Sequence, residues 1–257
     1  MDEPTRPNVP VKSVANTLQI IQILQDLDGA TVTRVATELG ISKSTVHNHL
    51  RTLERFEYVV KEDEEYSLSL RFLDHGEYAL SRDPRLERVR PKVKQVAEET
   101  HELCQFMVEE HGKGVIAFRE EGTNAVETQL RVGARMHLNH TTAGKAILAA
   151  HSDEYVKQLV EEHGLPQKTE ETITSGEQLL IELASIRDRG YAFDKEEHIE
   201  GLHAIAVPIS AGGDHVLGAL SVAAPSYRIQ SGQQERELAD LLLGVASELE
   251  LNLSFQD

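Results

Sequence analysis

Residues 31–54, TVTRVATELGISKSTVHNHLRTLE, decide how the chain is read. Thr31 offers a hydroxyl that can cap a helix, Val32, Val35, Ala36 and Leu39 follow at helical intervals, and Gly40 stands where a left-handed residue ends one. Ser42 caps the next helix, in which Val46, Leu50 and Leu53 form an apolar stripe while Ser44, Asn48, Arg51 and Arg55 fall towards the opposite side. The three-residue turn Gly40-Ile41-Ser42 between them is the helix-turn-helix plan, whose second helix enters a major groove. Upstream, Val14, Leu18, Ile21 and Leu24, widened by Ile20, Ile23 and Leu27, predict a first helix that Asp28-Gly29 breaks.

The outward side chains suit base reading: arginine chelates a guanine edge, asparagine an adenine edge, and hydroxyls near a helix start reach bases or phosphates. The predicted double-stranded DNA contacts are Thr31, Thr33, Ser42, Lys43, Ser44, Thr45, His47, Asn48, Arg51, Arg55 and Lys61. The alternative is an ordinary amphipathic helix with a solvated face. Residues 56–73, FEYVVKEDEEYSLSLRFL, then alternate as a hairpin, or wing, with Tyr66, Leu68 and Leu70 on one side and a turn at Glu62 to Glu65. Four consecutive carboxylates at its tip repel phosphate, which leaves Lys61 and Arg71 as the wing residues expected to touch backbone.

Charge separates this segment from the rest. Over 257 residues, 26 Lys+Arg against 43 Asp+Glu give −17, yet residues 1–56 hold six acids and six bases, so residues 57–257 carry the whole excess. With 16 Arg and only 10 Lys, that acidity predicts a salt-rich cytoplasm, where screening weakens self-repulsion. Counterion release from phosphates also weakens as salt rises, so base contacts and dimerisation gain weight over cationic charge. The lone Cys104 excludes a disulfide scaffold and the usual thiolate zinc sites. No apolar run reaches the roughly 20 residues of a membrane span, and MDEPTRPNVP has no signal-peptide character, which predicts a soluble, cytoplasmic protein without a membrane partner.

A linker helix is expected over 73–100. Its bases Arg82, Arg85, Arg88, Arg90, Lys92 and Lys94 are read as pairing with the acidic body, and Pro91 as a kink or restart. Beyond it, residues 103–122 predict a hairpin turning at His111 to Gly114, and residues 123–133, TNAVETQLRVG, a further strand. Helices follow over 141–151, 153–164 and 176–190, then a strand from GYAF, a hairpin of 203–209 with 216–223 around AGGD, and a long helix opened by a Ser231/Gln234 capping box. The expectation is an α+β chain: a winged helix-turn-helix over 11–72, the linker over 73–100, and an effector domain with an antiparallel sheet over 101–257.

In the last hairpin Ile205, Val207 and Ile209 share one face and Ala204 and Ala206 the other, while Ala219, Ser221 and Ala223 share a face of the second strand. If the small faces coincide they leave room for a ligand, or for a closely packed helix. Thr141, Thr142, Ala143 and Gly144 start a helix whose free N–H groups can hold an anion. Arg131, Arg135, His137 and His140 offset the negative field nearby, so a small carboxylate is the natural ligand.

From about Val11 to the last helix the chain resembles the IclR family of one-component transcription regulators. The resemblance lies in ISKSTVHNHLRTLE and above all in RVGARMHLNHTTAGKAILA, GYAFDKEEHIEGLHAIAVPI and GALSVAAP in that order. It implies a GAF-like α/β effector domain, homodimers or homotetramers, and a small-molecule effector that alters operator binding, with no cofactor. It also implies an effector pocket at Leu138, Thr141, Thr142, Ala143, Gly144, Asp194, Ala204, Ser221 and Ala223, flanked by His203 and Ile205. Ala204 and Ala223 stand where the family often has a cysteine and a second serine, which predicts a less polar pocket and a ligand bulkier or more apolar than the smallest keto acids. Asn48 replaces an arginine frequent in the recognition helix, so the operator is expected to differ from that of relatives.

Two other classes compete. His137 and His140, with Glu196, Glu197, His198, Glu200 and His203, suggest a metal-dependent enzyme, but no nucleophile elbow accompanies them and Gly144 to Ala146 lacks the rest of a phosphate loop. A ligand-independent architectural protein would need no cavity. The expectation is a regulator that is not an enzyme and holds no metal.

Overall fold

The computed structural model describes residues 9–212 and 215–254. The opening segment read for signal-peptide character lies mostly outside them, as do Gly213 and Asp214 of the AGGD turn. The chain divides into two compact units at Ala79/Leu80.

The first unit contains α1 (Lys12–Asp26), β1 (Ala30–Thr31), α2 (Val32–Leu39), α3 (Lys43–Arg55), β2 (Val59–Glu62) and β3 (Glu65–Leu68). The Thr31 side chain caps α2 by accepting from the Arg34 N–H, and Gly40 takes the left-handed conformation (φ 66°) that closes it. Ser42 caps α3, and Val46, Leu50 and Leu53 bury against Val35, Ala36 and Leu39 in one core. The strands form a three-stranded antiparallel sheet in the order β1-β3-β2.

Three expectations shift here. On α1 the buried line is Ile20 and Leu24, while Val14 and Leu18 are 54% and 60% exposed. The inward side is fixed in part by Thr17, whose hydroxyl meets His49 Nδ1 at 2.8 Å. The wing strand ends at Leu68, leaving Leu70 84% exposed, because Ser69 bonds back to the Glu57 carbonyl and accepts from the Arg71 N–H, turning the chain into α4 (Arg71–Ser81). Arg71 therefore belongs to a helix rather than the wing, and Glu57 engages its guanidinium at 2.9 Å.

The helical break falls at Arg82-Asp83, not at Pro91. Asp83 caps α5 (Pro84–Thr100) and Pro84 occupies its first turn, a stronger start signal than an internal proline, which α5 carries without ending. Its bases do meet acids and carbonyls of the same unit: Lys92 pairs with Glu248 at 2.6 Å and Arg88 donates to the Asn252 carbonyl.

The second unit is built on six antiparallel strands: β4 (Leu103–Glu110), β5 (Lys113–Glu121), β6 (Arg135–His137), β7 (Ala192–Lys195), β8 (Leu202–Ser210) and β9 (Val216–Pro225), ordered β6-β5-β4-β9-β8-β7. One face, with Phe106, Ile205, Val207, Leu220 and Val222, packs on α5 and on α9 (Gly232–Ser254) through Val89, Val93, Leu242 and Leu249. The other face, with Met107, Ala206 and Ala219, packs on α6 (Thr142–Ala149), with α7 (Asp153–His163) and α8 (Gly176–Arg189) completing that layer. Residues 123–133 form no strand. The edge of β5 is taken by β6, and turns at Ala125→Gly122 and Ala134→Arg131 fold the segment into a loop.

Candidate functional site

Two surfaces carry chemistry, one in each unit. On α3 the side chains of Ser44, His47, Asn48, Arg51 and Arg55 are exposed along one face, opposite buried Val46, Leu50 and Leu53. His47, Asn48, Arg51 and Arg55 line a concavity closed by Lys61 and Tyr66 of the wing, with Lys61 5.6 Å above the Tyr66 ring. Lys43 and Thr33 are exposed near the starts of α3 and α2. The oxygens of Thr31 and Ser42 act as helix caps, and the Ser42 and Thr45 hydroxyls lie 2.8 Å apart.

In the second unit the strand registers bring the small faces together: Ala204 pairs with Ala223, Ala206 with Ser221, Leu103 with Ala223 and Gln105 with Ser221. The amino-terminal end of α6 stops short of this floor and leaves a chamber of about 60 Å³ lined by Thr141, Thr142, Ala143, Asp194, Ala204, Ser221 and Ala223. Room of that size takes roughly four or five water-sized groups. The Gly144 N–H is held by the Thr141 hydroxyl at 3.1 Å, while those of Thr142 and Ala143 belong to the first turn, where a helix supplies no acceptor.

Leu138, Gly144, His203 and Ile205 stand outside this lining. Leu138 is buried among the apolar residues beneath α6, and its carbonyl packs so close to Gly144 that a Cβ there would sit 2.2 Å from it. Strand alternation turns Ile205 into the opposite core. His203 meets the Ile229 carbonyl at 2.9 Å and Phe193 edge-on.

Three features were not legible beforehand. Gln105 is nine-tenths buried, lines the chamber, and its Nε2 finds no hydrogen-bond partner among the described residues. Lys145 is fully buried and ion-paired to Glu197, whose other oxygen has no partner among the described residues. Asp194 accepts from the Thr142 hydroxyl at 3.2 Å and from the Glu197 N–H at 2.7 Å. Burial pushes the Asp194 carboxyl up and raises Glu197 to about 7 against the pull of Lys145. Both shifts reduce the negative charge that two carboxylates beside one lysine would otherwise carry.

The third feature is a histidine pair. His140 and His198 stack with centroids 5.0 Å apart and their Nδ1 atoms at 3.1 Å, a contact in which one ring donates and the other accepts. Burial and neighbouring positive charge lower both to about 4, so both are neutral at pH 7. His137 also approaches the His140 ring, at 6.1 Å between centroids, while His203 stands apart, and among the described residues no group of three or more His, Cys, Asp or Glu side chains is placed to hold a metal ion.

The match to known proteins is extensive. Residues 13–63 match the family model "IclR helix-turn-helix domain", and residues 78–251 match "Bacterial transcriptional regulator IclR C-terminal". A probable HTH-type transcriptional regulator ArcR of Halobacterium salinarum is 29% identical over 95% of this chain and 94% of its own. The HTH-type transcriptional regulator KdgR of Escherichia coli is 30% identical over 96% and 94%. An IclR homologue from Microbacterium hydrocarbonoxydans, solved with 4-hydroxybenzoate, superposes with a TM-score of 0.78 at 22% identity, covering 95% of this chain and 100% of that one. Fold and family matches define a DNA-binding transcriptional regulator. The chain belongs to the IclR family of transcriptional regulators. These families and relatives are regulators, not enzymes. Among the described residues no helix is long and apolar enough to cross a membrane.

Proposed function

We propose that a small organic acid binds the chamber between α6 and the small-residue floor and thereby changes how tightly α3 and the wing hold an operator. Gln105 carries the reading. A buried amide donor without a partner costs about 1–3 kcal/mol, and a turn of the Gln105 amide towards a ligand oxygen in the chamber relieves that cost. The first-turn N–H groups of Thr142 and Ala143 supply further donors for a carboxylate. Buried Lys145 and the raised Asp194 and Glu197 carboxyls soften the repulsion of an arriving carboxylate. That a homologue of this fold is solved with 4-hydroxybenzoate supports an acid as the ligand class.

On the DNA side, Arg51 and Asn48 are the base readers, Arg55 and Lys61 the phosphate contacts, with Lys43, Ser44, Thr45 and His47 at the groove and Thr31, Thr33 and Ser42 at its rim. The protein acts as a homo-oligomer. Exposed Val11, Val14 and Leu18 on one side of α1 supply an apolar face for a second copy, and a two-fold pair reads half-sites one helical turn apart or a multiple of it. A thermal-shift screen of organic acids at high salt tests the pocket. Stabilisation by at least one acid, lost in Ala143→Phe, is expected, and no stabilisation by any acid overturns the reading.

A further inference from the structure

The chamber is not the end of the cavity. Thr128, Leu130, Met136, His198, Ile199 and Leu202 line it and also line a wider outer cleft of about 870 Å³. The inner space takes only a compact head group, and anything longer must run outward past His198. The outer walls carry Arg135, His137, His140, Lys168 and His198 against Glu127 and Glu200. In a chain of net charge −17 this is a local excess of nitrogen donors.

Resting on the reading of the chamber as an effector pocket, we infer that the effector is two-ended: a compact polar head sits over Gln105 and Ser221, and a second anionic group enters the outer cleft between the His140–His198 pair and Lys168. The pair suits that task. One imidazole donates to the other, and burial above all, with Lys168 and, for His140, the neighbouring rings adding to it, lowers both to about 4, so the empty cleft holds the pair uncharged at neutral pH. The charged and titratable groups that line the cleft with the pair are Glu127 from the loop after β5, Arg135 and His137 from β6, Lys168 before α8 and Glu200 before β8; Glu110 of β4 holds the Arg135 guanidinium at 2.7 Å, and Lys113 of β5 is held against His137. An arriving anion lies against donors from three of these segments, and its charge draws a proton onto the pair. Binding of the second anionic group therefore takes up protons, and it tightens as pH falls from 8 towards 6.

Three matched pairs of acids test this by calorimetry on the full chain at pH 6 and pH 8: pyruvate with 2-oxoglutarate, 4-hydroxybenzoate with terephthalate, and gluconate with 6-phosphogluconate. In at least one pair the member with the additional anionic group is expected to bind tenfold or more tighter. That preference is expected to fall to within twofold in Lys168→Met, an exposed position, with the monoanion's affinity unchanged. At pH 6 the heat of its binding should vary with the buffer's ionisation enthalpy more than the monoanion's does. Equal binding of both members of every pair that binds, or a preference that survives Lys168→Met, overturns the two-ended effector while leaving the chamber intact. Failure of all six acids to bind overturns the chamber reading, and the inference with it.

Discussion

Gln105 stands directly opposite Ser221 in the β4–β9 register, and the Ser221 hydroxyl donates to the Gln105 main-chain carbonyl at 3.4 Å. Ser221 thus finds a weak partner within the protein, whereas the Gln105 amide nitrogen beside it finds none among the described residues. Two polar groups share one floor, and only one of them is left for a ligand.

Gln105→Leu is therefore expected to move stability and binding in opposite directions. Removing a buried, unpaired amide raises the stability of the free protein by up to about 1–3 kcal/mol, while losing the donor weakens acid binding roughly 10-fold or more. Denaturant melts and calorimetry with any acid from the screen read both. A variant that loses stability and keeps its affinity contradicts this role.

Gly144→Ala tests the architecture of α6. The added Cβ meets the Leu138 carbonyl at 2.2 Å and its Cα at 2.6 Å, backbone atoms that cannot swing away. A loss of about 1–3 kcal/mol is expected from overpacking, measured by urea unfolding. A change below about 0.5 kcal/mol would show that the turn before α6 yields easily.

Much of this was readable in the residues and some was not. The caps at Thr31 and Ser42 and the left-handed Gly40 follow from local chemistry, and each stands where the pattern put it, whereas strand alternation left open whether the small faces coincide, and the register that pairs Ala204 with Ala223 brings them together. The orientation of α1 does not, because Val14 and Leu18 are as apolar as Ile20 and only tertiary packing selects between them. Residues 123–133 look like a strand by composition, yet a strand needs a free edge, and β6 occupies that edge. Gln105 and Lys145 gave no signal, since a glutamine in a strand and a lysine in a helix are ordinary surface residues until the fold buries them. The meeting of His140 with His198 joins positions 58 residues apart, which spacing alone does not reveal.

Arg51→Ala is expected to lower affinity for a selected operator by about 1–3 kcal/mol while leaving random duplex nearly unaffected, because its exposed guanidinium lies in the middle of α3's outer face. Fluorescence anisotropy with both duplexes separates the cases. Equal losses on the two would reassign Arg51 to a phosphate contact.

The histidine pair imposes a pH dependence on folding. In the folded protein both rings stay neutral down to about 4, whereas in the unfolded chain they take protons near 6.5. The unfolded state binds more protons between those values, so stability falls as pH drops from 6.5 towards 4. Glu197, raised to about 7, acts in the opposite sense from 4.5 to 7. Replacing His140 and His198 together by phenylalanine is expected to flatten the acid-side fall in Tm. An unchanged slope would contradict the neutral, stacked pair.

The most direct test joins the two units. Genomic fragments retained by the protein supply an operator, and its Kd is measured with and without a saturating concentration of the acid that most stabilises the chain, for wild type and for Gln105→Leu. The account predicts preferred fragments over bulk DNA and a shift in operator Kd of about 5-fold or more on adding the acid, the usual scale of coupling between sites, with the Gln105→Leu response displaced to higher acid concentrations. No preferred fragment, or an operator Kd that saturating acid leaves unmoved, would contradict it.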